Sequence, residues 1–450
     1  MKIDLPKIPL LIINTLEECG FECFAVGGCI RDILSTREVS DWDFTTNATP
    51  DEIKECFSSY TTVDVGARFG TICVVIDNKN YEITTYRTDG EYGDSRHPDE
   101  VFFSKNLKDD LSRRDFTINA LAYNDRAGLV DEFNGLMDLQ YGVIRCIGDA
   151  DTRFTEDALR IIRALRFASI YGYSIEQKTA ESILKNKELL SNVSVERILK
   201  EFSKLICGDH VDFILRRYKD VIAVIIPEIS VMFNFDQKSL HHNKDLWRHT
   251  VSAIKNSPAD DIVRTALLFH DIGKPMTVST DIEGRNHYKN HEKLSAAMAN
   301  TILKRLKFPN TFIGKVLVLI EHHGDELSAD KALIKTYLKD IGQEAFSNLL
   351  IMQTADVLAQ SQYKREEKLS DLSTVEKQFN EIVSNNECYS LKDLEVNGKD
   401  LIHMFDLTGE QIGQTLNTLL NMVINSTVSN NKEQLLLVAQ EILKEGQING

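Results

Sequence analysis

No window of this 450-residue sequence approaches the roughly 18 consecutive apolar residues that a membrane-spanning helix requires. No secretory leader is expected either: Pro6 and Pro9 interrupt the first residues, and the apolar run from Leu10 to Ile13 is too short for one. The eight cysteines include no Cys-x-x-Cys pair, which excludes the common zinc and redox spacings. Cys19, Cys23, Cys29, Cys56 and Cys73 lie in or beside apolar segments and read as buried free thiols. Positive charge is also in deficit, because 52 Lys and Arg stand against 68 Asp and Glu, a net charge of −16. That balance excludes a protein that coats nucleic acid broadly, but a local basic surface suffices to hold an RNA. Internal repeats and long low-complexity tracts are missing. What remains is a cytoplasmic globular chain, 42% apolar and long enough for two to four domains.

Nearly all the strand signals fall in the first 150 residues. Phe24-Ala25-Val26, Thr71 to Ile76 and Tyr81 to Tyr86 are short, rich in β-branched or aromatic residues, and flanked by turn residues. Beyond Asp151 the apolar spacing turns helical almost throughout. The pattern predicts an α+β head with a small mixed sheet, followed by an all-α remainder. Four segments are expected: a head over 1–150, a helical neck over 151–226, a further helical domain over 227–365 and a helical tail over 366–450. Four basic clusters lie in the helical part: Arg160, Arg163 and Arg166; Arg197, Lys200 and Lys204; Arg216, Arg217 and Lys219; Lys304, Arg305 and Lys307. Each reads either as a solvated helix face or as a foothold for RNA.

In the head, Phe24-Ala25-Val26 runs into Gly27-Gly28 and then Cys29-Ile30-Arg31-Asp32, which reads as strand, glycine turn and helix. Two glycines let backbone N–H groups approach a phosphate, and Arg31 adds a bidentate cation. Shortly after come Asp41-Trp42-Asp43. On a strand, residues two apart share a face, so both carboxylates are expected to converge. Side by side they repel unless a cation joins them, and Mg²⁺ suits few carboxylates plus substrate phosphates. Glu82, flanked by residues that bury their own side chains, is the candidate third carboxylate; the alternative is an edge-strand glutamate facing water.

These residues resemble a known family. Gly27-Gly28-x-x-Arg31-Asp32 with Asp41-x-Asp43 is similar to the first motif of the class II tRNA nucleotidyltransferases, relatives of DNA polymerase beta. Val65-Gly66-Ala67-Arg68-Phe69-Gly70-Thr71 and Thr84-Thr85-Tyr86-Arg87 resemble the segments that follow. Arg113-Arg114-Asp115-Phe116-Thr117-Ile118-Asn119-Ala120 resembles the second motif, which implies nucleotide contacts for Arg113, Arg114, Asp115 and Asn119. Asp131-Glu132-Phe133-Asn134-Gly135-Leu136 resembles the third, with Asn134 in place of the more usual first glycine. The resemblance implies an enzyme that builds the CCA terminus on tRNA from CTP and ATP with Mg²⁺, working as a monomer or homodimer.

Thr155 to Phe167 is expected to form one helix with Thr155 as N-cap, so that Asp157 and Arg160 share a face. Cytosine and adenine each present an amino donor beside a ring-nitrogen acceptor. A carboxylate beside a guanidinium complements both, whereas uracil and guanine reverse the two contacts. The likeness to the family's fourth motif implies this base-reading role for Asp157 and Arg160, with phosphate or base contacts from Arg163 and Arg166. Ser194-Val195-Glu196-Arg197-Ile198 with Glu201 resembles the fifth motif, which braces the neck.

Further on, Arg248-His249, His270-Asp271-Ile272-Gly273-Lys274, His291-Glu292, His322-His323 and Asp356 resemble an HD-domain signature. A His-Asp doublet offers a nitrogen and an oxygen ligand at one point. The resemblance implies a second divalent ion (Mn, Ni, Mg or Fe) held by His249, His270, Asp271 and Asp356, with His291 and His322 nearby, and an associated phosphohydrolase activity. The tail around Asn397 to Leu401 resembles the family's tRNA-holding end. The rival readings are an enzyme that adds only A, a poly(A) polymerase, and an HD phosphohydrolase with a degenerate head. The glycine-containing loop from Tyr86 to Pro98 resembles the one the family keeps for switching from C to A, which disfavours CC-only addition.

Overall fold

Strand-forming runs alternate with short helices through the first third of the chain, and helices then take over. The structure, a computed structural model, describes residues 2–66, 69–90, 101–239, 244–405 and 407–448. Ala67, Arg68 and the part of the C-to-A loop from Glu91 to Pro98 lie outside the described residues. The chain divides into two units, Met1–Pro227 and Glu228–Gly450. Among the described residues no helix is long and apolar enough to cross a membrane.

The first unit is built on the strands β1 (Cys23–Val26), β2 (Asp43–Thr46), β3 (Thr61–Gly66), β4 (Thr71–Ile76), β5 (Lys79–Thr85), β6 (Arg87–Asp89), β7 (Val101–Phe103), β8 (Leu121–Asn124) and β9 (Gly128–Asp131). Seven of them form one mixed sheet in the order β3-β4-β5-β2-β1-β8-β9, while β6 and β7 pair separately. Within the large sheet only β2 and β5 run parallel, with Asp43 opposite Glu82. The strands are packed by α1 (Lys7–Glu18), α2 (Gly28–Leu34), α3 (Pro50–Cys56), α4 (Leu107–Ser112) and α5 (Gly135–Tyr141). All four residues of β1 are buried, and Phe24, Val26, Tyr86, Leu111 and Ala122 share one apolar cluster. Each large side chain removed from water in this way contributes about 1.5–3 kcal/mol.

Helices α6 (Ala150–Glu156), α7 (Leu159–Tyr171), α8 (Gln177–Asn186), α9 (Val195–Ile206), α10 (Val211–Arg217) and α11 (Lys219–Ile225) complete this unit. Close approach of the neighbouring chain requires a glycine at position 208, where a Cβ would lie 2.1 Å from Ser169 Oγ. The second unit is helical, made of α12 (Leu246–Asn256), α13 (Asp261–Phe269), α14 (Lys274–Thr277), α15 (His291–Arg305), α16 (Asn310–His322), α17 (Lys331–Ile341), α18 (Gln343–Ala359), α19 (Arg365–Ser384), α20 (Gly398–Phe405), α21 (Gly409–Ile424) and α22 (Lys432–Ile448). Ile334, Leu338, Phe346, Val375 and Phe379 form one core there, and Leu401, Leu419, Leu420 and Leu435 a second.

Two sequence expectations are corrected. The single helix from Thr155 is two helices: α6 is capped by Asp149, whose carboxylate accepts from Thr152 N at 2.9 Å, and the break falls at Asp157. Thr155 lies inside α6, its hydroxyl turned back to Asp151 O (2.8 Å). Of the thiols read as buried, Cys23, Cys29 and Cys73 are, Cys56 is half-buried and Cys19 is exposed.

Candidate functional site

The glycine turn sits where β1 meets α2. Gly27 is in the left-handed region (φ 80°), and a Cβ on it would lie 3.0 Å from an Nη of Arg114. A side chain here would push that guanidinium aside, so glycine both makes the turn and admits the cation. Because β1 pairs antiparallel with β2, Ala25 opposite Phe44, the turn lies beside the start of β2 at Asp43. The strand begins at Asp43, so Asp41 belongs to the loop before it rather than to the same strand face. Glu82 stands on β5, an interior strand, with Tyr81 and Ile83 buried on either side. Packing of the surroundings raises the pKa of Asp43, Arg114 lowers it and Asp41 raises it again. Glu82 is likewise raised by desolvation, then by Asp43 and Asp41, against Lys200 of α9. The three carboxylates thus share one electrostatic neighbourhood, and it disfavours three bare negative charges. Among the described residues their oxygens are not gathered as a cluster within 4.8 Å. Hard oxygen donors left short of a counter-charge suit Mg²⁺ completed by phosphate oxygens.

Behind the turn, charged side chains form a continuous network. Arg31 is buried; its Nε and one Nη donate to both oxygens of Asp32 (2.9 and 3.0 Å), and the other Nη donates to Asn119 Oδ1 at 2.6 Å. Its guanidinium also lies 5.0 Å from the ring centroid of Phe167 and 4.9 Å from that of Tyr171. Asn119 Nδ2 donates to Asp115 (2.9 Å), and Asp115 receives Arg163 at 2.7 Å. Burial pushes Asp115 up, but Arg163, Asn119 and the Phe116 N–H hold its pKa down at about 2. Arg163 and Arg166 both reach Glu201 of α9 (3.4 and 2.9 Å). Each guanidinium of Arg160, Arg163 and Arg166 has an internal carboxylate partner, so this cluster is not a freely solvated helix face. Arg113 and Arg114 hold Asp110, which is buried; burial raises its pKa, and the two arginines bring it below the usual range.

The supposed shared helix face of Asp157 and Arg160 is replaced by a bend. Asp157 Oδ1 accepts from Leu159 N at 3.1 Å, a local side-chain bond that competes with helix continuation. Both oxygens of Asp157 also take Arg197 of α9 (3.1 and 2.7 Å), a partner that sequence spacing did not reveal. Arg160 is buried, donating to Glu156 Oε2 (2.6 Å), Arg153 O (3.1 Å) and Arg113 O (2.9 Å). The turn around Asn134 resolves simply: Asn134 adopts φ 59°, which asparagine tolerates, and Asp131 receives the N–H groups of Gly135 and Leu136 (2.7 and 2.9 Å).

The second unit gathers its own cluster. His249 comes from α12, His270 and Asp271 from the end of α13, His291 from the start of α15, His323 from the end of α16 and Asp356 from α18. Two triads have their ligand atoms within 4.8 Å, His249-His270-Asp271 and Asp271-His291-His323, with Asp271 common to both. His249 Nε2 lies 2.7 Å from Asp356 Oδ1, and His270 Nε2 lies 3.2 Å from Asp271 Oδ2. The Nδ1 atoms of His270, His291 and His323 sit 2.7, 2.7 and 2.6 Å from the carbonyls of Leu267, Tyr288 and Ile320. A nitrogen that faces a carbonyl carries the ring proton, so each Nε2 turns a lone pair inward. The Nε2 atoms of His291 and His323 face each other at 3.2 Å, with Asp271 Oδ1 also 3.2 Å from His291 Nε2, an arrangement that suits a shared proton or a metal ion. His270 Nε2 and Asp271 Oδ1 are buried without a hydrogen-bond partner, as ligand atoms would be. Burial works against a charged His270, yet Asp271 and Asp356 raise its pKa to about 10; the same carboxylates would favour a divalent ion in place of that proton. His322 does not join the cluster: its Nδ1 lies 2.7 Å from Asp325, and the neighbouring His323 takes the place expected for it. The doublet could not say which histidine points inward, because that depends on helix phase.

A glycine turn at the head of a short helix, facing carboxylates on a parallel strand pair, defines a nucleotidyltransferase-type head. Residues 23–145 match the family model described as "Poly A polymerase head domain", residues 172–232 match "Probable RNA and SrmB- binding site of polymerase A", and residues 291–439 match a tRNA nucleotidyltransferase domain 2. The chain is 31% identical to the CCA-adding enzyme of Ligilactobacillus salivarius, covering 98% of this chain and 97% of that one. It is 33% identical to that of Pediococcus pentosaceus, over 96% of this chain and 97% of the other. A stronger local match, 43% to the Lactobacillus delbrueckii enzyme, spans only 56% of this chain and 64% of that one. The crystal structure of the Bacillus stearothermophilus CCA-adding enzyme in complex with CTP is 26% identical, with a TM-score of 0.70, covering 99% of this chain and all of that one. This chain belongs to the CCA-adding enzyme family.

Proposed function

We propose that the protein adds C, C and A in turn to the 3′ end of tRNA from CTP and ATP, without a nucleic-acid template, in the cytoplasm. The observation that carries the reading is the parallel pairing of Asp43 with Glu82, beside Asp41 and the Arg114-backed glycine turn, in a chain with full-length CCA-adding relatives. Asp41 and Asp43 would hold Mg²⁺, which would neutralise charge on the triphosphate and lower the pKa of the attacking 3′-hydroxyl. The glycine turn brings the Gly28 backbone N–H to the triphosphate, while the Gly27 N–H is donated to Leu121 O at 3.0 Å and fixes the turn. Arg114 adds positive charge beside Asp43. Arg31, Asp115, Asn119, Arg163 and Arg166 hold the turn against the neck through their mutual bonds. Arg113 fixes Asp110 and, through its carbonyl, Arg160.

Base choice falls to Asp157 and Arg160. Asp157 exchanges Arg197 for the amino group of C or A, and Arg160 turns one N–H from a backbone carbonyl to the ring nitrogen. Uracil and guanine would leave both side chains unpaired in a closed site. The four segments, 1–150, 151–226, 227–365 and 366–450, divide the work into head, neck, HD-type domain and tRNA-holding tail. The cluster of His249, His270, Asp271 and Asp356, extended by His291 and His323, holds a divalent metal and hydrolyses phosphoesters at RNA ends. In that reaction water adds to phosphorus, the P–O bond to the ribose breaks, and the leaving oxygen takes the proton.

The decisive assay gives tRNA lacking its three terminal nucleotides each NTP singly and all together, and sequences the 3′ ends. Parent protein is expected to add CCA; Asp41→Ala and Asp43→Ala add nothing while tRNA binding persists, and Asp157→Ala loses its preference for CTP over UTP. Normal incorporation by Asp43→Ala would sink the metal reading, and A-only products would favour the A-adding alternative.

A further inference from the structure

The cluster of the second unit opens into a cavity of about 480 Å³ whose lining includes Asp271, His291, His323 and Asp356. Two lysines also line it, Lys274 and Lys368. Lys274 is already spent on Asp271, 2.6 Å away. Lys368 is delivered by α19, far along the chain from the histidine-aspartate residues. It is half-buried, and its Nζ donates to Gln360 Oε1 at 3.0 Å. Gln360 in turn donates through Nε2 to Asp356 Oδ2 at 2.8 Å, so one amide fixes the lysine relative to the cluster. An ammonium has three donors. Among the described residues no carboxylate lies within ion-pair distance of this one, and a single neutral amide leaves two donors for a ligand.

We propose that Lys368 is the seat for the phosphate of a small terminal phosphoester, which makes a mononucleotide-sized end, and not an internal stretch of RNA, the substrate of this cavity. The proposal rests on the reading that the cluster holds a metal and hydrolyses phosphoesters. A cavity of this volume encloses a mononucleotide-sized ligand. Asp325, Glu326 and Asp371 also line it and oppose a polyanionic strand, whereas Leu327 and Leu372 offer an apolar wall to a base. A single phosphate brought past those carboxylates meets Lys368 and the metal-ligand cluster together.

The test uses the full chain loaded with Mn²⁺, with Lys368→Ala, Lys368→Gln and Lys368→Arg. Bound metal per chain is measured by mass spectrometry, orthophosphate affinity by calorimetry, and hydrolysis with adenosine 3′-monophosphate and an oligoribonucleotide blocked at both ends. Expected is a loss of phosphate affinity of about tenfold or more in the Ala and Gln variants, a matching rise in KM for the monophosphate, partial recovery with Arg, and unchanged metal. Equal phosphate affinity in parent and Lys368→Ala overturns the proposal, as does no phosphate binding by the parent or equal cleavage of the blocked oligonucleotide. If phosphate binding depends on Lys368 but nothing is hydrolysed, the hydrolytic reading falls and the phosphate seat stands. If hydrolysis is seen with the same KM in every variant, the reverse holds.

Discussion

Replacing Gly135 by alanine tests whether packing behind the nucleotide site is as tight as the structure shows. A Cβ there would lie 2.1 Å from the carbonyl oxygen of Thr117 and 2.8 Å from its carbon. Both are backbone atoms, so no rotamer change relieves the contact, and the segments must part by roughly 1 Å or more to reach ordinary separation. Thr117 opens the 3₁₀ turn Thr117–Asn119, whose last residue holds both Arg31 and Asp115. Overpacking of this kind costs about 1–3 kcal/mol, and each kcal/mol lowers Tm by about 2–4 °C in a domain of this size. Gly135→Ala is therefore expected to lower the calorimetric transition of the first unit by about 2–12 °C. That transition is recognisable by its rise on adding CTP. Loosening of Asn119 should also raise KM for CTP. Gly148→Ala is the control: Gly148 is left-handed (φ 72°) with nothing within 4 Å of its added Cβ, so it should lower Tm while leaving KM for CTP alone. A Gly135→Ala protein that melts with the parent and keeps its KM would refute the reasoning.

Asp115 makes a pH-dependent contribution. Its pKa of about 2, against 3.8 ordinarily, corresponds to about 2 kcal/mol at neutral pH. Because the folded value is the lower one, that stability is present above about pH 4 and is lost as pH falls towards 2. Asp115→Asn should unfold more easily than the parent at pH 7, with the gap narrowing in acid; thermal unfolding at stepped pH that shows a constant gap would count against this. In the second unit, His323→Ala should lower bound metal per chain while His322→Ala leaves it unchanged, and metal analysis giving the opposite order would reverse the assignment of the doublet.

Much of the head was legible because its signals are local. A glycine pair after a β-branched run, two acids in three residues, and a glutamate between two aromatic or aliphatic neighbours each follow from backbone rules that act over a few residues. Glu82 sits beside Asp43 as the pattern suggested, although only the sheet order makes β5 an interior strand and its partner parallel. The bend at Asp157 was not legible. Residues 155–167 have helical spacing, and the break comes from a carboxylate that bonds forward to Leu159 and across to Arg197, 40 residues away. Similarly, Arg163 and Arg166 read as exposed cations until Asp115 and Glu201 are brought to them.

Taken by itself, the amino-acid order determined the α+β head, the helical remainder, the family likeness and the chemical types at both sites, since period, turn residues and motif spacing are properties of neighbours along the chain. Only the tertiary structure decided which charges are spent on one another, which member of the His322-His323 doublet faces inward, and that Lys368 reaches the cavity of the cluster. Those outcomes depend on helix phase and on pairings between residues tens to hundreds of positions apart, where an ion pair or a lone pair finds its partner only after the chain has packed.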